Sequence, residues 1–156
     1  MPDESVPEET VPEQTGSVGE DPGVQDPFLV FWSERRLCTL ASPRPDGTIH
    51  QVPVGVTYDP ERHLARVISS GTSYKALNLE AHPGRRVSVC QVEGARWSTL
   101  EGEATVSRQE GAVAEAVRRY AQRYRQPRAN PERVVIEIAV KRVLGNVRPQ
   151  SEGIVP

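Results

Sequence analysis

The stretch from Arg66 to Lys75 combines residue types that can hold an oxyanion. A β-branched run carries Arg66, a loop of small residues with hydroxyl groups follows it, and Lys75 lies in the first turn of a predicted helix. Positive charge, hydroxyl donors and the free N–H groups of a helix start are the groups that bind phosphate. The spacing is not that of a Walker loop, GxxxxGK[ST]. The alternative interpretation is structural: Thr72 or Ser73 caps the helix and Lys75 is solvated.

A second concentration of chemically informative residues surrounds Pro127, where Tyr120 and Tyr124 are interleaved with arginines. These arginines are Arg123, Arg125, Arg128 and Arg133. A solvated helix face is the plainest interpretation of the pattern, and basic side chains beside aromatic ones also permit weak nucleic-acid binding. Guanidinium forks suit carboxylates as well, so the segment is a candidate site for an acidic ligand.

Other catalytic signatures are missing from the sequence. His50, His63 and His82 have neither the spacing of a metal site nor an acidic or thiol ligand close by, so no metal is expected. There is no GxSxG nucleophile motif, and no residue stands out as a catalytic acid. Cys38 and Cys90 lie in apolar, strand-like runs, which predicts buried, reduced thiols.

Charge is distributed unevenly along the 156 residues. Residues 1–26 hold eight of the 21 acidic residues and none of the 19 Lys and Arg, so the rest of the chain has 13 acids against 19 bases. This acidic leader is rich in proline and poor in large apolar residues, which predicts disorder. It has no signal-peptide pattern, and no apolar run reaches the length of a membrane span. We expect a soluble, cytoplasmic protein with a leader at 1–26, one domain at 27–148 and a tail at 149–156.

The domain alternates β-branched runs with turn signals, which predicts six strands and two or three helices. The strands are expected at 37–42, 48–58, 63–70, 86–92, 96–106 and 133–144, and the helices at 29–36, 74–82 and 109–124. Pro53 inside the second run indicates an edge strand, a bulge or backbone that faces a ligand. Because closure removes exposed edges, six strands in about 120 residues favour a mainly β, mostly antiparallel barrel capped by helices.

Five segments within residues 28–148 resemble one known family. They are FWSERRLCTL, HQVPVGVTYDP, ARVISSGTSYKALN, QVEGARWSTLEG and RYAQRYRQPRANPERVVIEI. The resemblance is to the flavin- and deazaflavin-binding split β-barrel family of the pyridoxamine-phosphate-oxidase type, and within it to the F-420-dependent biliverdin reductase branch. It implies a six-stranded antiparallel split β-barrel of the FMN-binding type. It also implies a homodimer that binds coenzyme F-420, or alternatively FMN, in a groove between two subunits.

The resemblance further implies which residues bind the cofactor. Lys75 and Ser73 would hold its phosphate beside the strand of Arg66, and the strand from His50 to Val54 would lie along its ring. Trp97 would stand near the ring, although a strand tryptophan also suits a core or an interface. The full set is His50, Gln51, Val52, Pro53, Val54, Arg66, Ile68, Ser69, Ser73, Tyr74, Lys75 and Trp97.

The activity implied by the resemblance is hydride transfer from reduced F-420 to a conjugated small-molecule acceptor, with biliverdin the best match. F-420 carries a poly-glutamate tail and biliverdin carries two propionates, so Arg123, Arg125 and Arg128 are candidates to meet these carboxylates. Neither nucleic acid nor membrane is expected as a partner. Two alternatives remain open: an FMN-dependent oxidase or reductase on the same fold, and a non-catalytic carrier of F-420 or a tetrapyrrole.

Overall fold

The computed structural model describes residues 25–150. Within this range the elements are α1 Pro27–Phe31, β1 Cys38–Pro43, β2 Ile49–Val54, β3 Thr57–Asp59, β4 Leu64–Ser70, α2 Tyr74–Ala81, β5 Arg85–Glu93, β6 Arg96–Ser107, α3 Glu110–Arg123 and β7 Arg133–Gly145. The acidic leader, which is expected to be disordered, lies outside the described range as far as residue 24. The expected tail lies outside it from residue 151 onward. No helix in residues 25–150 is long and apolar enough to cross a membrane.

The strands form one antiparallel sheet in the order β2-β1-β5-β6-β7-β4-β3. Side chains alternate between its two faces, as on β1, where Cys38, Leu40 and Ser42 are buried and their neighbours are half exposed. The sheet curls around an aliphatic core, and Phe28 and Phe31 of α1 pack into that core. The mainly β, antiparallel architecture with a few helices is therefore the one that the sequence predicts.

The structure has seven strands in the described residues, whereas the sequence predicts six, because the run 48–58 divides in two. β2 ends at Val54 and β3 begins at Thr57. At the break, the N–H of Val56 donates to Tyr124 Oη at 3.2 Å, and the carbonyl of Val56 accepts from Arg123 Nη1 at 2.6 Å. Side chains at the end of α3 thus make the hydrogen bonds to the N–H and the carbonyl of Val56 that a neighbouring strand would make in a continuous sheet.

The division of this run opens a cleft in the barrel. β2 and β3 are the two edges of the sheet, and the chain connects them directly through Gly55 and Val56. β3 pairs with β4 only at residues 57–59 and 64–66, so the last part of β4, up to Ser70, runs past β3. β2 pairs with β1 on its other side. The outer edge of β2 and the end of β4 are not paired with each other, so the barrel is open between them, and we call this opening the cleft. Pro53 lies on an edge strand, one of the positions that its presence predicts.

Asp26 joins the two ends of the described chain. Its Oδ1 caps α1 by accepting from the N–H of Phe28 at 3.0 Å, and its Oδ2 accepts from the N–H of Gln150 at 3.1 Å. Helix α1 ends at Phe31, five residues before the predicted end. Asp26, which the sequence assigns to the leader, is thus part of the folded structure.

Gly102 lies where β6 and β7 approach closely, next to a shift in their pairing register. A Cβ at this position would collide with the backbone carbonyl of Ala139. We expect Gly102→Ala to lower the free energy of unfolding by about 1–3 kcal/mol, as overpacking does elsewhere. The control is Gly111→Ala on α3, where a Cβ meets nothing within 4 Å. This substitution should raise the free energy of unfolding by about 0.5–1 kcal/mol. Urea denaturation measures both, and equal effects would refute the close-approach argument.

Candidate functional site

The start of α2 forms one end of the cleft. Ser73 caps the helix, because its Oγ accepts from the N–H of Ala76 at 3.3 Å, and it also bonds to Ser69 Oγ of β4 at 2.8 Å. The predicted capping role of Ser73 is confirmed, and the second bond fixes the loop to the strand. Lys75 is half buried and has no ion-pair partner among residues 25–150. Burial lowers the pKa of its ammonium group.

His50 of β2 meets the same end of the cleft. Its ring lies against Tyr74 of α2, with ring centroids 5.0 Å apart. The buried Nδ1 of His50 has no hydrogen-bond partner among the described residues. Burial lowers the pKa of His50, and the positive charges of Arg44 and Lys75 lower it further. The imidazole is therefore neutral at pH 7 and lies in a positive field, an arrangement that a bound anion would complement.

Anion binding at this end should be visible in the titration of His50. We expect its pKa to rise as inorganic phosphate is added, since a nearby negative charge favours the protonated ring. Proton NMR of the histidine Hε1 resonances measures this shift. His82 is the internal control, because its Nδ1 is already bonded to the carbonyl of Asn78 at 2.9 Å. An unchanged pKa for His50 at high phosphate would exclude the anion from this end.

The outer edge of β2 offers backbone groups to the cleft. Residues in antiparallel pairs alternate between hydrogen-bonded and non-hydrogen-bonded positions. Pro43 and Pro53 have no N–H and occupy the same set of positions in the β1–β2 ladder, which marks that set as non-hydrogen-bonded. The backbone groups of Ile49, Gln51 and Pro53 consequently point away from β1. The carbonyl of Ile49 shows this direction, because it accepts from Arg44 Nη1 at 2.8 Å.

Arg66 does not reach this arrangement. It is 4% exposed, and its guanidinium pairs with Asp59 at 3.3 Å, while Arg119 of α3 pairs with the same carboxylate at 3.4 Å. Burial raises the pKa of Asp59, but Arg119, Arg66 and two backbone N–H groups outweigh it, so the pKa is lowered overall. Arg66, expected among the cofactor-binding residues, thus ties α3 to β3 and β4 through Asp59.

The other predicted residues divide between the cleft, the core and a distant strand. Ile68 is half buried on the part of β4 that borders the cleft. Val54 belongs to the core and Val52 packs against it, and both lie at the hydrogen-bonded positions opposite β1, so neither offers a side chain or a backbone group to the outer edge of β2. Trp97 is at the start of β6, separated from β2 by β1 and β5, a distance of about 14 Å. It does not border the cleft of its own chain.

Arg123, one of the candidates to meet an acidic ligand, is engaged by groups of the protein itself. It is 8% exposed, and each guanidinium nitrogen bonds to the protein. Nε donates to the carbonyl of Glu34 at 2.8 Å, Nη1 to the carbonyl of Val56 and Nη2 to Gln91 Oε1. The helical periodicity around Tyr120 gives no sign of this burial. Arg128 is exposed, and its carbonyl accepts from Arg133.

A cavity of about 210 Å³ lies at the opposite end of β2 from His50. Gly55 forms its floor, and the rings of Tyr120 and Tyr124 lie over this glycine, 4.9 Å apart. A Cβ on Gly55 would come within 2.8 Å of the Tyr120 ring. Cationic and apolar side chains complete the wall: Arg35, Arg36, Leu37 and Arg125. Arg125 is among the arginines that the sequence pattern around Pro127 singles out, whereas Arg35 and Arg36 are marked in the sequence only as a pair of arginines before the first strand.

Comparison with known proteins places this geometry in a family. The pyridoxamine 5'-phosphate oxidase family matches residues 25–146. The chain belongs to this family. An F-420-dependent biliverdin reductase from Mycobacterium tuberculosis is 51% identical to this chain over 123 residues, which cover 79% of this chain and 88% of the relative.

Solved structures agree on the fold. An F-420 reductase has a TM-score of 0.62 at 19% identity and covers 78% of this chain and 98% of its own. A conserved hypothetical protein from Mycobacterium tuberculosis has a TM-score of 0.65 at 21% identity, with coverages of 89% and 98%. A pyridoxamine 5'-phosphate oxidase homologue from Listeria innocua has a TM-score of 0.62 at 17% identity, with coverages of 79% and 98%. The expected split β-barrel is therefore confirmed.

The cleft fits the phosphorylated, ring-bearing cofactors of this oxidase family. The unpartnered Nδ1 of His50 and the ammonium group of Lys75 lie at one end, as a phosphate requires. Along β2, the backbone groups of Gln51 and Pro53 have no neighbouring strand on their outer side. They are therefore free to form hydrogen bonds with the polar edge of a flat ring. No group of three or more His, Cys, Asp or Glu side chains in residues 25–150 could hold a metal ion.

Proposed function

We propose that this protein is an oxidoreductase that reduces biliverdin with the deazaflavin coenzyme F-420. The observation that carries this proposal is the 51% identity to an F-420-dependent biliverdin reductase over 79% of the chain. The structure supports it with a cleft whose polar groups match the parts of such a cofactor. Reduced F-420, when bound, supplies the hydride.

The chain's own residues bind and orient the reactants. Lys75 supplies positive charge for the phosphate, and Ser73 and Ser69 fix the loop that surrounds it. Backbone groups of Gln51 and Pro53 on the outer edge of β2 orient the ring. The ring contact of Tyr74 with His50 joins α2 to β2 at the phosphate end. Because these groups belong to the ends of regular elements, they are positioned before the ligand arrives.

Stopped-flow mixing under anaerobic conditions tests the function. Reduced F-420 bound to the protein is mixed with biliverdin, and the absorbance of oxidised F-420 should recover as biliverdin disappears. Separate titrations with F-420 and FMN identify the cofactor. Binding of FMN alone would assign the chain to the flavin-dependent members of the family, and binding of F-420 without turnover would make it a carrier.

We also propose that the protein works as a homodimer. Val92 and Trp97 oppose each other on the β5–β6 hairpin and are 59% and 39% exposed, which leaves an apolar patch on the outer face of the sheet. Pairing through this face would carry Trp97, remote from its own cleft, toward the cleft of the partner.

Sedimentation equilibrium measures the predicted assembly. We expect a dimer for the wild-type protein and a monomer for Val92→Asp, because an unpaired carboxylate buried in an interface costs several kcal/mol. The control is Ala114→Asp, which introduces the same charge at an exposed position on α3. A monomeric wild type, or a dimer that tolerates Val92→Asp, would contradict the assembly.

A further inference from the structure

The cavity at Gly55 is continuous with the outer edge of β2. Cys38 pairs with Val54 in the β1–β2 ladder, so Leu37 and Gly55 lie one position beyond the last pair. Both border the cavity. Gly55 lies five positions after His50, which corresponds to about 17 Å of extended chain. The phosphate end and this cavity are therefore the two opposite ends of one strand.

The chemistry of the cavity suits a carboxylate attached to a flat, conjugated group. Tyr120 and Tyr124 give it an aromatic wall. Arg35 and Arg125 have no ion pair with any acid among the described residues. Arg36 pairs with Glu93 at 2.7 Å, but its buried Nε has no hydrogen-bond partner within residues 25–150. The cavity thus combines unneutralised guanidinium groups with a surface on which a planar ligand can stack.

The aromatic wall is held in place by hydrogen bonds. Tyr124 Oη donates to the carbonyl of Arg36 at 2.7 Å and accepts from the N–H of Val56 at 3.2 Å. Burial raises the pKa of the Tyr124 phenol, so it stays a donor at neutral pH. These bonds fix Tyr124 between the segment before β1 and the break between β2 and β3. The cavity is consequently preformed, with little ordering left for a ligand to cause.

We propose that this cavity binds a carboxylate side chain of the acceptor, with Arg35 and Arg125 as its ion partners and Tyr120 and Tyr124 beneath its conjugated system. The inference rests on the proposed function and adds the acceptor subsite to it. It assigns the arginines to the acceptor and not to the cofactor tail, because the cofactor's phosphate belongs to the His50 end of β2. Specificity then depends on an acidic group of the acceptor at a fixed distance from its reacting carbon.

The test compares biliverdin with its dimethyl ester, which is uncharged at the propionates. Binding is measured by the change in bilin absorbance on the cofactor-free protein, and KM is measured with reduced F-420. We expect the double variant Arg35→Gln/Arg125→Gln to weaken binding of biliverdin about tenfold or more and to leave the ester unchanged. Gly55→Ala, which pushes on both tyrosine rings without changing charge, should weaken binding of the acid and the ester alike. Arg118→Gln, an exposed charge elsewhere on α3, is the matched control.

The outcomes separate this inference from the proposed function. Charge-dependent binding of biliverdin without turnover would keep the subsite and reject the reductase. Normal turnover with an unchanged KM in the double variant would keep the reductase and reject the subsite. A loss of F-420 affinity in the double variant, in place of a loss of biliverdin affinity, would assign Arg35 and Arg125 to the cofactor tail and overturn the inference. Circular dichroism of the double variant, together with binding measured on the two single variants, shows whether a loss of affinity is caused by misfolding.

Discussion

Lys75→Gln is expected to raise the dissociation constant of F-420 by about 10- to 100-fold. A hydrogen bond to a charged group is worth about 1.5–3 kcal/mol, and Lys75 has no acid in residues 25–150 to neutralise it before the phosphate arrives. Its partial burial increases the effect, because the charge is weakly screened by solvent and salt. Titration of F-420 fluorescence measures the constant. The salt dependence of binding should become shallower in the variant.

The chain provides a matched control for this substitution. Its 19 basic residues include two lysines, and the second, Lys141, is exposed on β7. Lys141→Gln makes the same chemical change away from the cleft and should leave the dissociation constant within twofold. A similar loss of affinity in both variants would mean that net charge, and not the position of Lys75, governs binding. Equal affinity of Lys75→Gln and the wild type would remove Lys75 from the cofactor site.

Arg123→Met should lower the free energy of unfolding by about 3–5 kcal/mol, because the loss of one member of a buried polar network leaves its partners unpaired. Its guanidinium bonds to two backbone carbonyls, one in the segment before β1 and the other at the break between β2 and β3. The third partner is the buried side chain of Gln91 on β5, whose Nε2 in turn bonds to the carbonyl of Phe31. Chemical denaturation followed by tyrosine and tryptophan fluorescence measures the loss.

Arg118→Met is the control for the loss of Arg123. Arg118 lies on the same helix, is exposed, and pairs with Glu115 one turn away, an interaction that contributes less than about 1 kcal/mol. If the two variants had the same free energy of unfolding, the hydrogen bonds of Arg123 would not contribute to the stability of the fold. If Arg123→Met remained stable but lost binding of acidic ligands, the original assignment of this arginine to a carboxylate would be restored.

Local patterns in the sequence were sufficient for the parts of the structure that depend on nearby residues. The alternating runs predicted the strands, because side chains on a strand change face at every residue. Pro53 predicts an edge strand, a bulge or backbone that faces a ligand, because a proline cannot donate to a central ladder, and the structure places it on an edge strand. Thr72 or Ser73 is expected to cap α2, because a hydroxyl there accepts from the first free N–H groups of the helix, and Ser73 is the cap. The grouping of Ser73 with Lys75 followed from that cap.

Features that depend on distant residues were not predictable in this way. The run 48–58 is β-branched and largely apolar, so its pattern predicts one strand although Gly55 interrupts it. The break exists because Arg123 and Tyr124, almost 70 residues later, satisfy the backbone groups of Val56. Arg66 looked available for phosphate, but Asp59 and α3 cover it. Charge and spacing alone cannot distinguish a buried arginine from an exposed one, because the difference lies in which other element packs over it.

The two sides of the cleft are connected in different ways at its two ends. At Gly55 and Val56 the connection is the covalent chain, fixed further by α3. At the other end, α2 meets β1 and β2 through non-covalent contacts, which are the ring contact of Tyr74 with His50 and the hydrogen bond from Asn78 Nδ2 to the carbonyl of Pro43 at 3.0 Å. A phosphate held by Lys75 beside His50 would touch both of these sides. Its binding free energy would then add to the stability of this end of the barrel, so local opening should be rarer in the bound protein than in the free one.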